Sequence, residues 1–377
     1  MAGIYLHIPF CAKRCIYCDF YSTTLLEERD AYVQAVKQEL QQRKNYLQGE
    51  DIATIYIGGG TPSQLTIQQI ADMLACVQQH YTIRPDAEIT MEANPDDLCP
   101  EFVAQLAQLP INRISMGVQT FDDKKLRMLN RRHTAKQAVN AVKACQDAGF
   151  ENVSIDLIYG LPSETLTEWE NDIDTALQLN VQHLSAYHLM YEEGTPLWKL
   201  WQEHQLKQVD EDLSVTFFET LTQRLKDGGF EHYEISNFCR QGYHSRHNSS
   251  YWEGVPYLGV GAAAHSFNGT SRQWNVADLK AYITGITTDN PSFELEELTQ
   301  ENRYNEMVMT GLRTAKGVNL DKLQQLFGNR MLQYFEANAK PFLANGDLER
   351  TADNRIKLSH QGIFISDGIM GELMFVS

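Results

Sequence analysis

Short apolar runs alternate with helical patterns along residues 1–190 of the chain. The runs have the length of buried strands, and between them apolar residues recur at the helical spacing of three and four positions. This alternation is typical of repeated strand–helix units around a parallel sheet. The predicted strands span residues 4–8, 54–57, 88–91, 113–117, 152–158 and 183–189, and the predicted helices span 29–47, 66–80, 100–109, 135–148 and 164–179.

The predicted helix 135–148 carries clear signals at both ends. Thr134 is suited to the N-cap position, and Gly149 is suited to the left-handed position that follows many helices. Ala, Val and Cys side chains repeat along one face of the helix, so this face is predicted to pack on the core. Cys145 belongs to that face, and we therefore interpret it as a small buried hydrophobic residue and not as a ligand.

The domain organisation follows from where the repeating pattern stops. Six strand–helix units in residues 1–190 predict an α/β fold, an incomplete TIM-like (β/α)6 barrel. Residues 191–295 are irregular and rich in aromatic side chains, and are predicted to close the barrel. Residues 296–377 predict a small helical domain with a β-hairpin, similar to a winged helix.

Unusual polar and glycine residues follow the ends of the predicted strands. In a barrel of parallel strands, the chemistry lies in the loops at the carboxyl ends of the strands. Because one face of the fold collects all of these residues, we expect the functional site to lie there. The segments in question are 11–18, 58–62, 92–95 and 117–119, together with Asp156.

Composition excludes several classes of function. The chain of 377 residues has a net charge of −17, from 32 Lys and Arg against 49 Asp and Glu, so nucleic-acid binding is not expected. No run approaches the ~20 apolar residues of a membrane-spanning helix, and the start of the chain lacks the pattern of a signal peptide. Seven cysteines without disulfide spacing suit a reducing compartment, which predicts a cytoplasmic protein.

Three of the cysteines form a compact motif, C-x3-C-x2-C, at Cys11, Cys15 and Cys18. Three thiolates on one loop can hold three irons of a [4Fe–4S] cluster and leave the fourth iron open to a small molecule. A structural zinc site would need four ligands, with a second pair at matching spacing. The remaining cysteines occur singly along the chain, at Cys76, Cys99, Cys145 and Cys239.

Two further segments suggest a ligand near this loop. Gly58, Gly59 and Gly60 precede Thr61, and the absence of Cβ atoms lets the backbone approach a ligand closely. The alternative is a tight turn without a ligand. Glu92 ends an apolar strand, where an unpaired carboxylate is costly, so it predicts a cationic partner.

These motifs together resemble the radical S-adenosylmethionine (SAM) superfamily. The segments E-x-N-P at Glu92, S-M-G-V-Q ending at Gln119 and D-L-I-Y-G-L-P beginning at Asp156 resemble its coproporphyrinogen-oxidase-like branch. The resemblance implies a [4Fe–4S] cluster with three cysteine ligands and an open iron that binds SAM. It implies SAM contacts from Tyr5, Tyr17, Gly58, Gly59, Gly60, Thr61, Glu92, Gln119, Arg131 and Asp156.

Other interpretations of these residues stay open from the sequence alone. Gln119, Arg131 and Asp156 also fit a structural hydrogen-bond network under the loops. Tyr5 lies on the first predicted strand and could belong to the barrel core, whereas Tyr17 lies between two of the cysteines.

Two departures separate the chain from the oxidases of this branch. Phe20 stands where those oxidases carry a further cysteine, and an H-N-x-x-Y-W motif begins at His247. Both features resemble a group of heme chaperones within the branch. The resemblance implies that His247 is an axial heme ligand in an aromatic wall of Tyr251, Trp252 and Tyr257. A histidine hydrogen-bonded inside an aromatic core is the alternative, and the other histidines expected near the mouth are His7, His188 and His265.

The resemblance predicts a heme chaperone that delivers heme to respiratory hemoproteins. The alternative is an oxygen-independent coproporphyrinogen III oxidase, which decarboxylates its substrate to protoporphyrinogen IX. A radical SAM enzyme with a non-tetrapyrrole substrate is a third class. Whether the chain is an enzyme stays open, an electron donor is needed if SAM is cleaved, and a homodimer is left open.

Overall fold

The computed structural model describes residues 1–376, and its centre is a sheet of parallel strands. The six predicted strands are present in sequential order, so the predicted α/β barrel class is confirmed. The third strand begins five residues before its predicted start. The strands are β1 (Ala2–Ile8), β2 (Ile52–Gly59), β3 (Ile83–Ala93), β4 (Arg113–Gln119), β5 (Val153–Tyr159) and β6 (His183–His188).

Helices connect these strands and cover the outside of the barrel. Three of them begin with a capping box, in which a threonine bonds the backbone three residues later and a Gln or Glu bonds back. Thr134 is the N-cap as predicted, and Gly149 has the left-handed φ of +92°. The helices are α1 (Arg29–Gln42), α2 (Ile67–His80), α3 (Pro100–Leu106), α4 (Asp123–Met128), α5 (Ala135–Asp147) and α6 (Leu166–Gln178).

The aromatic segment that we expected to be irregular extends the sheet at both edges. One strand of this segment pairs in parallel with β1, and another pairs antiparallel with β6. These strands have three to five residues, too short to give a periodic pattern in the sequence. The elements are α7 (Pro196–Gln202), α8 (Glu211–Asp227), β7 (Glu231–Glu234), β8 (Asn237–Cys239), α9 (Arg246–Trp252), β9 (Tyr257–Val260), β10 (His265–Phe267), β11 (Ser271–Asn275), α10 (Leu279–Thr287) and β12 (Phe293–Glu297).

The C-terminal region has an apolar core of its own, around Tyr304, Leu323 and Phe335. Three short strands form a second sheet there, and the predicted β-hairpin is present, with residues 348–350 paired to residues 356–358. The elements are α11 (Gln300–Leu312), β13 (Val318–Asn319), α12 (Leu320–Asn345, kinked at Gly328), β14 (Leu348–Arg350), β15 (Arg355–Leu358), α13 (His360–Ile363) and α14 (Ser366–Leu373). Across residues 1–376, no helix is both long enough and apolar enough to span a membrane.

The two sides of each barrel strand differ in chemistry. In β1, Ile4, Leu6 and Ile8 are fully buried in the main core. Tyr5 lies on the other face, where its ring stacks on Tyr56 of β2 at 6.1 Å. The alternation that the strand geometry requires therefore gives the barrel an apolar exterior under the helices and a polar lumen.

Candidate functional site

The three-cysteine loop follows β1 and is fixed at its base by backbone hydrogen bonds. The amide of Cys11 donates to the carbonyl of Thr23 at 2.9 Å, and the amide of Thr23 donates to the carbonyl of Pro9 at 2.7 Å. Cys11, Cys15 and Cys18 are half-buried and carry free thiols. The loop thus starts and ends at the mouth of the barrel, as the sequence predicts.

The spacing and environment of the three thiols fit a cluster better than a single ion. Within residues 1–376, these three sulfurs do not all lie within 4.8 Å of one another. Sulfur atoms around one zinc must be closer than this, because each Zn–S bond is only ~2.3 Å long. Burial, with smaller contributions from the neighbouring thiols, raises the pKa of Cys18 to about 11 and also raises the pKa of Cys11. Cationic irons would compensate these buried thiolates, so the donor set fits an iron–sulfur cluster.

The glycine turn after β2 packs directly against the end of β1. A Cβ atom on Gly59, whose φ is +110°, would lie 2.5 Å from the ring of His7. A Cβ atom on Gly60 would lie 2.8 Å from the carbonyl oxygen of Ile8. Close packing therefore explains the glycines by itself, and their contact with SAM stays a prediction.

Glu92 lies at the end of β3 with its carboxylate directed at this turn. It accepts hydrogen bonds from the Tyr56 hydroxyl at 2.7 Å and from the Gly59 amide at 3.0 Å. Burial, with a smaller contribution from the charge of Asp156, raises the pKa of Glu92 to about 7, although the two hydrogen bonds and the charge of Arg113 oppose the rise. No Lys or Arg in the described part of the chain forms a salt bridge with it. A cationic ligand in the lumen would fit this carboxylate.

Arg131 and Gln119 meet around Gly117 on the same side of the mouth. Arg131 donates from Nη2 to Asn94 Oδ1 at 2.8 Å and to the carbonyl of Gly117, and from Nη1 to the Cys15 sulfur at 3.3 Å. Gln119 has a left-handed φ of +72°, a strained conformation for this residue type. Arg131 therefore connects the end of β4 to the cysteine loop.

Asp156 lies one strand further along, in register with Gly117. Burial raises its pKa to about 6, and hydrogen bonds from Ser185 and Ser115 oppose that shift. The structural hydrogen-bond network that the sequence left open is therefore present for Arg131 and Asp156. Within this network, the guanidinium of Arg131 and the carboxylate of Asp156 both lie close to the lumen that a ligand would enter.

The two tyrosines have different surroundings. Tyr5 faces the lumen, and its hydroxyl is hydrogen-bonded to Nδ1 of His7 at 3.0 Å. Tyr17 packs in a small apolar cluster with Leu129, and burial raises its pKa while the charge of Arg131 opposes the rise. Both lie within the region that the sequence predicts for SAM, and their contact with it stays a prediction.

His247 lies at the opposite end of the barrel from the cysteine loop. Its Nδ1 is hydrogen-bonded to Thr54 Oγ1 at 2.8 Å, its Nε2 to the Tyr251 hydroxyl at 2.8 Å, and its amide donates to Glu88 at 3.0 Å. The residue is 1% exposed, and burial lowers its pKa to about 3. This placement argues against the predicted axial ligation of heme, because both ring nitrogens are hydrogen-bonded and the ring is buried.

The aromatic wall predicted around His247 is present only in part. The Tyr251 ring contacts His247 edge-on at 5.0 Å and Tyr257 at 4.6 Å. Trp252 instead faces the C-terminal region, where the guanidinium of Arg313 lies 5.4 Å from its ring. The H-N-x-x-Y-W motif therefore closes the floor of the barrel, which corresponds to the alternative of a histidine in an aromatic core.

The other histidines differ in accessibility. Both ring nitrogens of His7 are used, by Tyr5 and by the carbonyl of Tyr21 at 3.1 Å. His188 is hydrogen-bonded to Ser214 at 3.0 Å. His265 is exposed, and its ring stacks on Trp274 at 5.7 Å. Because β9 runs parallel to β1 and β10 follows it, His265 lies at the same end of the barrel as the cysteine loop.

Sequence reasoning missed Arg113, which lies inside the barrel at the start of β4. It is 1% exposed, and its Nε and Nη1 have no partner in the described chain, like the hydroxyl of the adjacent Thr90. Its charge lowers the pKa values of Glu92 and Asp156. The signal was available, because Arg113, Ser115 and Gly117 alternate along one face of the strand.

Exposed apolar side chains at the mouth were not among the site residues that the sequence predicted. Phe20 follows the last cysteine of the loop, and Tyr187 and Met190 lie at or just after the end of β6. Large exposed apolar side chains grouped at a concave site commonly mark a binding surface. Their positions at two loop ends, 167 or more residues apart in the chain, give no local pattern in the sequence.

The sequence of the chain is similar to known proteins along almost its whole length. Residues 5–176 match the radical SAM superfamily, and residues 298–365 match the HemN C-terminal domain. The chain is 34% identical to the heme chaperone HemW of Bacillus subtilis (strain 168), over 99% of both chains. It is 38% identical to the heme chaperone HemW of Escherichia coli (strain K12), over 70% of this chain and 69% of that one.

A solved structure has the same fold along almost the whole chain. The coproporphyrinogen III oxidase HemN of Escherichia coli, a radical SAM enzyme, superposes with a TM-score of 0.85 over 99% of this chain and 90% of that chain. The identity is 22%, so this likeness concerns the fold and not the activity.

Proposed function

We propose that this chain, which belongs to the HemW family of radical SAM proteins, binds heme and delivers it to respiratory hemoproteins. The observation that carries the proposal is the 34% identity to a heme chaperone over 99% of both chains. The relationship therefore includes the cysteine loop, the lumen and the C-terminal domain. No comparison favours the oxidase alternative, since the oxidase structure shares only the fold.

Membership of the radical SAM superfamily implies a [4Fe–4S] cluster and SAM. We propose that Cys11, Cys15 and Cys18 are the three protein ligands of this cluster. When bound, the cluster supplies an iron with an open coordination position and a source of single electrons. The protein holds the loop in place through the Pro9–Thr23 bonds and through Arg131 on Cys15.

We propose that SAM occupies the upper lumen, beside the cysteine loop. Glu92 would accept a hydrogen bond from its amino group, because this carboxylate lies in the lumen and has no cationic partner in the described chain. The surrounding positions proposed for SAM are Tyr5, Tyr17, Gly58, Gly59, Gly60, Thr61, Gln119, Arg131 and Asp156.

Heme is proposed to bind at the mouth and not at the floor. His265 is the histidine that offers an accessible ring at that end, and the Trp274 ring stacked on it would hold its orientation. Phe20 and Met190 would cover apolar parts of the macrocycle. This arrangement differs from the expectation for His247, whose ring nitrogens are both hydrogen-bonded.

The partners follow from the chaperone proposal. Respiratory hemoproteins are the proposed recipients, an electron donor is required only if SAM is cleaved, and the homodimer stays a prediction. The net charge of −17 would attract a recipient with a basic docking surface.

The test is an anaerobic heme titration of the protein with its cluster assembled, alongside an assay of coproporphyrinogen consumption. A saturable shift of the Soret band without consumption of coproporphyrinogen supports the chaperone. Turnover to protoporphyrinogen would overturn it in favour of the oxidase. A Cys11→Ala, Cys15→Ala, Cys18→Ala variant serves as the control that lacks the cluster, and it should not turn over any substrate.

A further inference from the structure

A mixed group of metal-binding side chains lies at the edge of the sheet beyond β6. Glu231 of β7 and Cys239 of β8 are direct cross-strand partners, and His244 follows five residues after Cys239. The carboxylate oxygen, the sulfur and a ring nitrogen of these three residues all lie within 4.8 Å of one another. His244 Nε2 and Glu231 Oε2 are 3.6 Å apart.

We propose that Glu231, Cys239 and His244 bind one Zn²⁺ ion. Zinc accepts thiolate, imidazole and carboxylate ligands, whereas Mg²⁺ and Ca²⁺ prefer sets of oxygen ligands. With Zn–N and Zn–O bonds of ~2.0–2.2 Å, tetrahedral ligands lie about 3.4 Å apart, close to the observed nitrogen–oxygen distance. A thiolate and a carboxylate together balance the charge of the ion.

The fold buries one of the three ligands, Cys239, and leaves Glu231 and His244 accessible. Cys239 is fully buried, and its strand pairs with both β6 and β7. Glu231 and His244 are exposed, so an ion can enter from solvent and a fourth ligand position stays open. The ring of His244 contacts Tyr233 edge-on at 4.6 Å, which restricts its rotation.

The site is separate from the cluster. Cys239 lies opposite His183, the first residue of β6, so the group is at the amino end of the barrel strands. The cysteine loop is at the carboxyl end, after β1. An ion here would join the β7–β8 hairpin to the segment that leads into α9, which begins at Arg246 and carries His247.

The test uses the full chain with its cluster assembled and Zn²⁺ as the probe, under anaerobic conditions. After dialysis against Zn²⁺, we expect one zinc per chain in wild type and in Cys145→Ser, whose cysteine is buried in the apolar core on α5. Cys239→Ser, Glu231→Gln and His244→Ala should each bind zinc at least tenfold more weakly. Iron analysis checks that zinc has not replaced the cluster.

A second readout identifies the sulfur ligand. Co²⁺ in place of Zn²⁺ should give a thiolate-to-metal charge-transfer band in wild type and Cys145→Ser that is absent in Cys239→Ser. Glu231→Gln and His244→Ala change exposed side chains, so their melting temperatures without metal should match wild type. Equal zinc content in wild type and all three ligand variants, or no zinc in wild type, would overturn the proposal.

Discussion

The guanidinium of Arg131 donates a hydrogen bond to the sulfur of Cys15 at 3.3 Å. The same side chain donates to Asn94 and to the carbonyl of Gly117, so it connects the cysteine loop with the ends of β3 and β4. A charged donor this close stabilises a thiolate. Arg131 therefore acts on the cluster loop directly, in addition to the SAM contact that the sequence predicts for it.

Arg131→Met should weaken cluster assembly. The variant keeps an unbranched side chain but removes the positive charge that lowers the pKa of Cys11 and the hydrogen bond to Cys15. Less thiolate should then form at a given pH, so the pH needed for full reconstitution should rise. Iron and sulfide content measured over a series of pH values checks this.

The matched control for that prediction is Arg132→Met. Arg132 is the next residue, but it pairs with Asp96 and Asp97 instead of a cysteine. Its iron content should follow the wild-type curve. Superposable curves for the two variants would show that the Arg131 contact has no role in assembly.

Replacing Cys11, Cys15 or Cys18 by alanine should remove the cluster. Each substitution leaves at most two thiols in the loop, too few to hold the cube at the mouth. The broad visible absorption and the bound iron should both be lost. The measurement is iron content with the absorption spectrum after anaerobic reconstitution.

Cys76→Ala and Cys145→Ala are the controls for this loss. Both side chains are buried, and Cys76 of α2 donates a hydrogen bond to the carbonyl of Lys37 in α1. Each control should lose a little stability and keep its iron. A cluster that disappears in Cys145→Ala would contradict the ligand assignment.

Local patterns in the sequence were enough to predict the barrel and the cluster loop. Strand positions, the N-cap Thr134 and the C-x3-C-x2-C spacing all depend on residues within about one turn or one strand of each other. The position of the loop at the mouth followed from the rule that parallel strands end on one face. These features required no knowledge of distant contacts.

The place of His247 could not be predicted in this way. Its partners Thr54 and Glu88 are 193 and 159 residues away in the chain. The pairing of β9 with β1, which brings its segment under the barrel, spans a still larger separation, as between Gly3 and Tyr257. The H-N-x-x-Y-W pattern identifies a group of proteins, but it does not say at which end of the barrel the imidazole lies.

Glu92→Gln should weaken SAM binding in a pH-dependent way. The pKa of Glu92 is about 7, so the carboxylate becomes ionised, and a better acceptor for the SAM amino group, as the pH rises through that value. A charge-assisted hydrogen bond contributes about 1.5–3 kcal/mol, so the variant should bind SAM roughly ten- to a hundredfold more weakly above this pH. Below it, the two affinities should converge.

Calorimetric SAM titrations of wild type and variant at each pH check the prediction. Taking the ratio of the two affinities removes the ionisation of SAM itself, which both proteins experience equally. Glu101→Gln, an exposed carboxylate at the start of α3, should show no effect. A ratio that does not change with pH would place the amino group elsewhere.

His247→Ala and His265→Ala should separate the floor of the barrel from its mouth. Removing His247 leaves the hydroxyls of Thr54 and Tyr251 without their partner and opens a cavity, at a cost of about 2–4 kcal/mol in the free energy of unfolding. The heme spectrum of His247→Ala should match wild type.

His265→Ala removes an exposed ring, so the melting temperature of this variant should stay close to wild type while the Soret band of the heme complex shifts or weakens. Thermal melts and heme difference spectra on the same samples give both readouts, and a stable His247→Ala protein with an altered Soret band would return the heme ligand to the H-N-x-x-Y-W motif.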